Sequence, residues 1–197
     1  MSKRIFDWLA SGLGLLVLSP VLFALALCIK LDSPGPVFFR QERVGWRGRL
    51  FRIHKFRTMV TDAERLGLQI TVGADARVTR VGQWLRAYKL DELPQLLDVW
   101  LGHMSLVGPR PEVPRYVACY PADVREVVLS VRPGITDRAS IEFKDENEIL
   151  GRSTDPHLAY VNDVLPIKLG YYIQYVNTRS FLGDISLIFK TFAALVR

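Results

Sequence analysis

Residues 9–31 (LASGLGLLVLSPVLFALALCIKL) contain no acid and one base, Lys30, at the far end. A run of this length must leave water, and about 20 such residues suffice to cross a bilayer as a helix. Ser19-Pro20 stands near its middle. Pro20 has no amide to give the carbonyl of Leu16 and its ring crowds that turn, so a break is expected. Each half, roughly a dozen residues, is too short to span alone. A hairpin that enters and leaves by one face is allowed if Ser19 or a neighbour satisfies the freed carbonyl. A plain spanning helix fits the residues equally well. Lys3 and Arg4 ahead of the run and the bases behind it favour the cytoplasm at both ends. Removal as a signal peptide is disfavoured, because Ala24-Leu25-Ala26 lies inside the run rather than after it.

The charge is concentrated just beyond. Between residues 30 and 58 stand eight bases (Lys30, Arg40, Arg43, Arg47, Arg49, Arg52, Lys55, Arg57) against Asp32 and Glu42, which accounts for the chain's whole net charge of +6. Such a patch suits an anionic partner: lipid headgroups, a nucleotide diphosphate or nucleic acid. Nucleic acid explains the charge but not the apolar run, and it is excluded as the partner. Cys28 and Cys119 are far apart, which fits a reducing compartment better than a disulfide framework.

The remainder reads as an α/β domain, mainly helical with a small β-hairpin. Residues 1–32 are taken as the membrane segment and 33–197 as the domain. Ser33-Pro34-Gly35-Pro36 is a stiff linker. Residues 37–44 and 50–57 read as strands joined by the turn Gly45-Trp46-Arg47-Gly48. Helical spacing follows in Val81, Trp84, Leu85 and Tyr88, and again in Leu93, Leu96, Leu97, Trp100 and Leu101, ending at Gly102. Residues 107–114 and 132–136 read as ordered loops, and 115–131 as helix. From Gly183, one face carries Ile185, Ile188, Phe189, Phe192 and Leu195, which suits either core packing or an amphipathic helix in a membrane interface.

Three features could carry chemistry. Asp91-Glu92 is framed by Arg86, Lys89 and Arg110. Asp91 can simply cap the following helix, with Glu92 in its first turn and Pro94 tolerated there. A carboxylate so placed stays ionised, and can also attack phosphorus or hold a divalent metal. Arg110 lies between two prolines that fix its aim, which suits bidentate phosphate binding, although a surface pair with Glu112 is the plainer alternative. Lys55 and Arg57 stand on either side of Phe56, so that only one is expected to face a site. His54, His103 and His157 lack metal-ligand spacing and read as structural.

Six blocks in order are more specific than any one of them. They are Arg4-Ile5-Phe6-Asp7 with Ser19-Pro20; residues 34–39 with Gln41-x-Arg43-x-Gly45; residues 55–59 (KFRTM); residues 90–96 (LDELPQL); residues 104–111 (MSLVGPRP); and residues 132–136 (RPGIT). Over nearly its whole length the chain resembles the bacterial sugar transferase family of monotopic phosphoglycosyl transferases. The resemblance implies a re-entrant helix hairpin broken at Ser19-Pro20. It implies a compact domain with amphipathic interfacial helices on the cytoplasmic face of the bacterial inner membrane. The implied reaction passes a sugar 1-phosphate from a UDP-sugar to undecaprenyl phosphate, giving polyprenyl diphosphate sugar and UMP, the first membrane step of glycoconjugate assembly. Asp91 is then the nucleophile of a covalent phosphosugar intermediate. Glu92 supports it or shares Mg2+, with Mn2+ as the alternative ion. Lys55, Arg86, Arg110 and Arg132 are the phosphate-binding candidates. Inner-membrane lipids are implied partners, and homo-oligomer formation is left open.

The chain departs from the common pattern at Asp137-Arg138-Ala139-Ser140 and the acidic stretch 142–148, at His103 and at Lys89. None of these removes a proposed catalytic group, but the sugar preference is left open. No soluble glycosyltransferase domain or multi-spanning domain is expected within these residues. A metal-dependent nucleotide-sugar hydrolase and a non-enzymatic membrane adaptor are the rival readings.

Overall fold

A computed structural model describes residues 2–63, 75–143, 150–151 and 153–196. Most of the acidic stretch, residues 144–148, lies outside the described residues, as does Arg197.

Helix α1 (Ser2–Asp32) carries the apolar run with Pro20 inside it. The expected helix-break-helix is thereby corrected: the chain passes Ser19-Pro20 as a single helix. The reason is local. The Ser19 hydroxyl donates to the Leu16 carbonyl at 2.7 Å, filling the bond that proline cannot make. Ser19→Ala is expected to lower stability in detergent by about 1 kcal/mol. Pro20→Ala restores the amide, so the same change made there should cost nearly nothing. Melting temperatures of the four proteins check this, and an equal cost in both backgrounds would sink the account.

At about 1.5 Å per residue α1 is roughly 46 Å long, and both of its ends are tied to the same domain. Near its start, Asp7 is buried and accepts from the Ser105 hydroxyl at 2.7 Å. Arg4 donates to the carbonyls of Val99 (2.8 Å) and Trp100 (3.3 Å), in the last turn of helix α3 (Gln95–Leu101), where a cation is favoured. Lys3 pairs with Asp184. Near its end, Leu25 and Ile29 pack with Phe56 and Leu85. Arg57 binds Ser33 through its hydroxyl (2.7 Å) and carbonyl (2.8 Å). Between these anchors Leu13, Leu16, Val17 and Phe23 are exposed.

The hairpin forms as its pattern predicts. Strands β1 (Phe38–Val44) and β2 (Leu50–Phe56) are antiparallel, in register from Phe38 opposite Phe56 to Val44 opposite Leu50. The turn is closed by Arg47 and Gly48, both at positive φ. Helix α2 (Arg80–Ala87) is capped by Thr79. The loop expected over 107–114 is found from 108 to 113, but the one expected over 132–136 is not, since β4 (Gly134–Thr136) pairs in parallel with β3 (Ser105–Val107). Three-residue strands are too short to show an alternating pattern. The helix expected over 115–131 is two, α4 (Pro114–Val117) and α5 (Ala122–Leu129), parted at Pro121.

Helix α6 (Arg138–Glu142) follows, and α7 (Pro156–Ala159) runs through a π-turn (Tyr160–Val164) into α8 (Leu165–Thr178). Tyr116, Tyr120, Val128, Leu150, Leu169 and Tyr172 belong to the main core that these helices build. Helix α9 (Phe181–Val196) leaves Phe189 and Phe192 exposed, at 70% and 64%. Those two residues of the predicted face therefore do not pack into the core.

Candidate active site

The site is built around a turn that precedes α3. Lys89 takes a left-handed conformation (φ 54°), residues Leu90–Glu92 make one 3-10 turn, and Pro94 occupies the cap position of α3. Asp91 is therefore not the cap that the sequence suggested. It stands a turn earlier, and its side chain is free for another task.

The two adjacent acids are treated very differently. Glu92 is held by Lys55 Nζ at 2.8 Å and by both terminal nitrogens of Arg110, one at 3.1 Å. Asp91 is 8% exposed, and among the described residues its carboxylate has neither hydrogen bond nor ion pair. Burial pushes the Asp91 pKa up, partly countered by Lys55 and Arg86, while the Glu92 charge adds to the rise. Burial would raise Glu92 as well, but Arg110 and Lys55 hold it well below the usual carboxylate range. Glu92 is thus a fixed anion, whereas Asp91 is a desolvated carboxylate held by no direct partner among the described residues.

Of the predicted cations, Lys55, Arg86 and Arg110 surround this pair. Arg86 donates from Nε to the Thr58 hydroxyl at 2.8 Å and stands near enough to Asp91 to affect its titration. Arg57 turns to the end of α1, so only Lys55 of its pair faces the site. Arg132 is not brought here. Its Nε donates to the Gly102 carbonyl at 2.9 Å and its guanidinium lies over the Trp46 ring. Arg110 pairs with Glu92 rather than Glu112. Glu112 instead joins a buried cluster, where Tyr160 donates to it at 2.5 Å and Lys168 at 3.5 Å. No spacing signal pointed to that cluster, because Glu112 lies on a loop some 50 residues before Tyr160 and Lys168. His54 reads as structural: its ring pairs with Asp98 at 2.7 Å, tying β2 to α3.

A divalent ion fits this set in one manner. Among the described residues no three His, Cys, Asp or Glu side chains gather as a metal cage. Mg2+ is commonly held by one or two carboxylates together with substrate phosphates. Asp91 supplies a free carboxylate of that kind. Glu92 could join only after Arg110 and Lys55 turn to another anion, because both of its oxygens are engaged.

Comparison with known proteins supplies the context for this geometry. The profile of the family described as bacterial sugar transferase matches residues 1–197. The chain is 38% identical over 196 residues to a UDP-N-acetylgalactosamine-undecaprenyl-phosphate N-acetylgalactosaminephosphotransferase of Aeromonas hydrophila, covering 98% of this chain and 43% of that protein. It is 42% identical over 197 residues to an undecaprenyl-phosphate glucose phosphotransferase of Komagataeibacter xylinus, covering 97% and 35%. It is 36% identical over 199 residues to a UDP-glucose:undecaprenyl-phosphate glucose-1-phosphate transferase of Caulobacter vibrioides, covering 100% and 70%. The chain thus spans less than half the length of the first two relatives and 70% of the third.

Proposed function

The chain belongs to the bacterial sugar transferase family, and from that membership we propose that it transfers a sugar 1-phosphate from a UDP-sugar to undecaprenyl phosphate. The observation that carries the mechanism is the unequal treatment of the two acids: Asp91 buried and unpaired, Glu92 gripped by Lys55 and Arg110. An oxygen of Asp91 attacks the phosphorus that bears the sugar. The bond from that phosphorus to the bridging oxygen breaks, and UMP leaves with the electron pair. The sugar phosphate is then an acyl phosphate on Asp91. An oxygen of undecaprenyl phosphate attacks the same phosphorus, the bond to Asp91 breaks, and polyprenyl diphosphate sugar is formed with the carboxylate regenerated.

Arg110 and Lys55, already paired with one anion, are suited to receive the diphosphate, and Arg86 offsets charge beside Asp91. Mg2+, held with Asp91, would supply charge neutralisation at the phosphates. Arg132, remote from the pair, is assigned to the fold.

The protein is proposed to act at the cytoplasmic face of the bacterial inner membrane, with α1 re-entrant rather than spanning. Because both ends of α1 are tied to one domain, a continuous α1 that bends at Pro20 and stays in one leaflet keeps that domain on a single side of the bilayer. Exposed Trp84 on α2, Tyr88 just past its end, Leu101 on α3, and Phe189 and Phe192 on α9 suit an interfacial seat.

The test is UMP release by purified protein with Mg2+, UDP-glucose or UDP-N-acetylgalactosamine, and undecaprenyl phosphate. Lipid-dependent release supports the transfer. Equal release without lipid would indicate a hydrolase, and no release would revive the adaptor. The pH profile carries a further prediction. Only ionised Asp91 attacks, so activity falls as pH drops, with a midpoint above the ordinary value for aspartate. Glu92→Gln removes a charge that raises the Asp91 pKa and leaves Lys55 and Arg86 to lower it. Its acid limb should therefore move to lower pH; a limb that stays put or rises would refute the coupling.

A further inference from the structure

We infer that Arg43 is a positioning residue for Arg110, acting through the peptide that follows it. The inference rests on the phosphate-binding role proposed for Arg110. The block Gln41-x-Arg43-x-Gly45 has no part in the reaction as described, and its geometry gives it one.

The loop that carries Arg110 is gripped on both flanks. Upstream, Gly108 donates to the Thr136 carbonyl at 3.0 Å, and Gly134 donates to the Pro109 carbonyl at 2.9 Å. Downstream, the grip comes from β1. Arg43 Nη1 donates to the Pro111 carbonyl at 3.0 Å and stands 3.8 Å from Glu112 Oε2, while the Val44 amide donates to the Glu112 carbonyl at 2.9 Å. Arg43 is itself steadied by Gln41, two residues back on the same face of β1, whose Oε1 accepts from Nη2 at 2.6 Å. Gly45 then starts the turn, its amide donating to the Arg49 carbonyl at 2.8 Å.

The guanidinium is therefore spent on the loop rather than offered to a ligand, and its buried Nε has no partner among the described residues. Pro109 and Pro111 remove both flanking amides, so the loop cannot hold itself by local backbone bonds. A planar fork with donors on two sides suits a bridge between Gln41 and Pro111, which a single ammonium cannot reproduce in full. Without Arg43 the Pro111 peptide loses its donor, and the Arg110 side chain loses its fixed origin. Misplacement of a substrate-clamping group by about 1 Å can cost on the order of 100-fold in rate.

A double-mutant cycle decides the matter. We would measure kcat/KM for UMP release with undecaprenyl phosphate and whichever of UDP-glucose and UDP-N-acetylgalactosamine the wild type turns over. The proteins are wild type, Arg43→Gln, Arg43→Lys, Arg110→Lys and the two doubles. Arg43→Gln should lose about 10- to 100-fold, and Arg43→Lys, which keeps a donor for Pro111, should recover most of that. In the Arg110→Lys background the same changes should cost less than about 2-fold, because the group they position is already gone. Losses that multiply would overturn the inference and leave Arg43 a general stabiliser. If Arg43→Gln fails to fold by near-ultraviolet circular dichroism, the Arg43→Lys cycle reads the same coupling. Full activity of Arg110→Lys would instead overturn the phosphate role on which the inference stands, and no turnover by wild type would overturn the transfer itself.

Discussion

Asp91→Asn is expected to reduce lipid-dependent UMP release by at least about 1,000-fold, to the background of the assay. The size follows from the role, since an amide cannot form the acyl phosphate and, among the described residues, no other unpaired carboxylate adjoins the cations. The same change should leave the melting temperature unchanged or raise it. It removes a buried charge that no described residue pairs with, so burial is easier for the amide than for the carboxylate. Glu92→Gln should behave oppositely in stability, because it strips Arg110 and Lys55 of their shared counter-charge. Intact-protein mass spectra after incubation with the UDP-sugar and no lipid should show a sugar-phosphate adduct on wild type and none on Asp91→Asn. An adduct of equal yield on the mutant would remove Asp91 from the chemistry.

Gly134→Ala should be among the most damaging small substitutions in the domain. A Cβ at Gly134 would lie 2.1 Å from the Gly108 amide nitrogen and 2.5 Å from its carbonyl oxygen. Both atoms belong to backbone, so neither can swing aside. The pair β3–β4 would have to part, costing the bonds that flank Pro109 and moving the base of Arg110. We expect a loss above about 3 kcal/mol, in the range reserved for strain or broken networks, with activity lost in whatever protein remains folded. Gly170→Ala in α8 is the control. Nothing lies within 4 Å of its added carbon, and alanine there should stabilise by about 0.5–1 kcal/mol. Chemical unfolding of the three proteins tests both, and a neutral Gly134→Ala would mean that the two strands are not as closely paired as described.

What could be read from sequence was mostly local. The hairpin was legible because Gly45 to Gly48 separates two strand-like runs, and α3 because its apolar spacing ends at a glycine that takes positive φ. The passage of α1 through Pro20 was not, since the Ser19 bond depends on a rotamer rather than a pattern. The short strands β3 and β4 were hidden by their length. The candidate site was legible as a set of residues and illegible as an arrangement. Arg110 is 18 positions from Glu92 and only 2 from Glu112, so proximity in sequence pointed to the wrong partner. The choice is made by Tyr160 and Lys168, which occupy Glu112 from helices some 50 residues further on. Arg132 was a candidate through the family resemblance alone, and the Trp46 ring and the Gly102 carbonyl claim it.

The tie between the first helix and the last bears on how the chain is made. Lys3 meets Asp184, and Tyr175 reaches both Asp184 and the Val107 carbonyl that Lys3 also binds. During translation α1 is made well before Asp184. The ribosome adds residues at roughly 5–20 per second, so the start of α1 waits on the order of ten seconds for its last partner. The start of α1 therefore exists for seconds without this partner, and α9 closes the fold onto it.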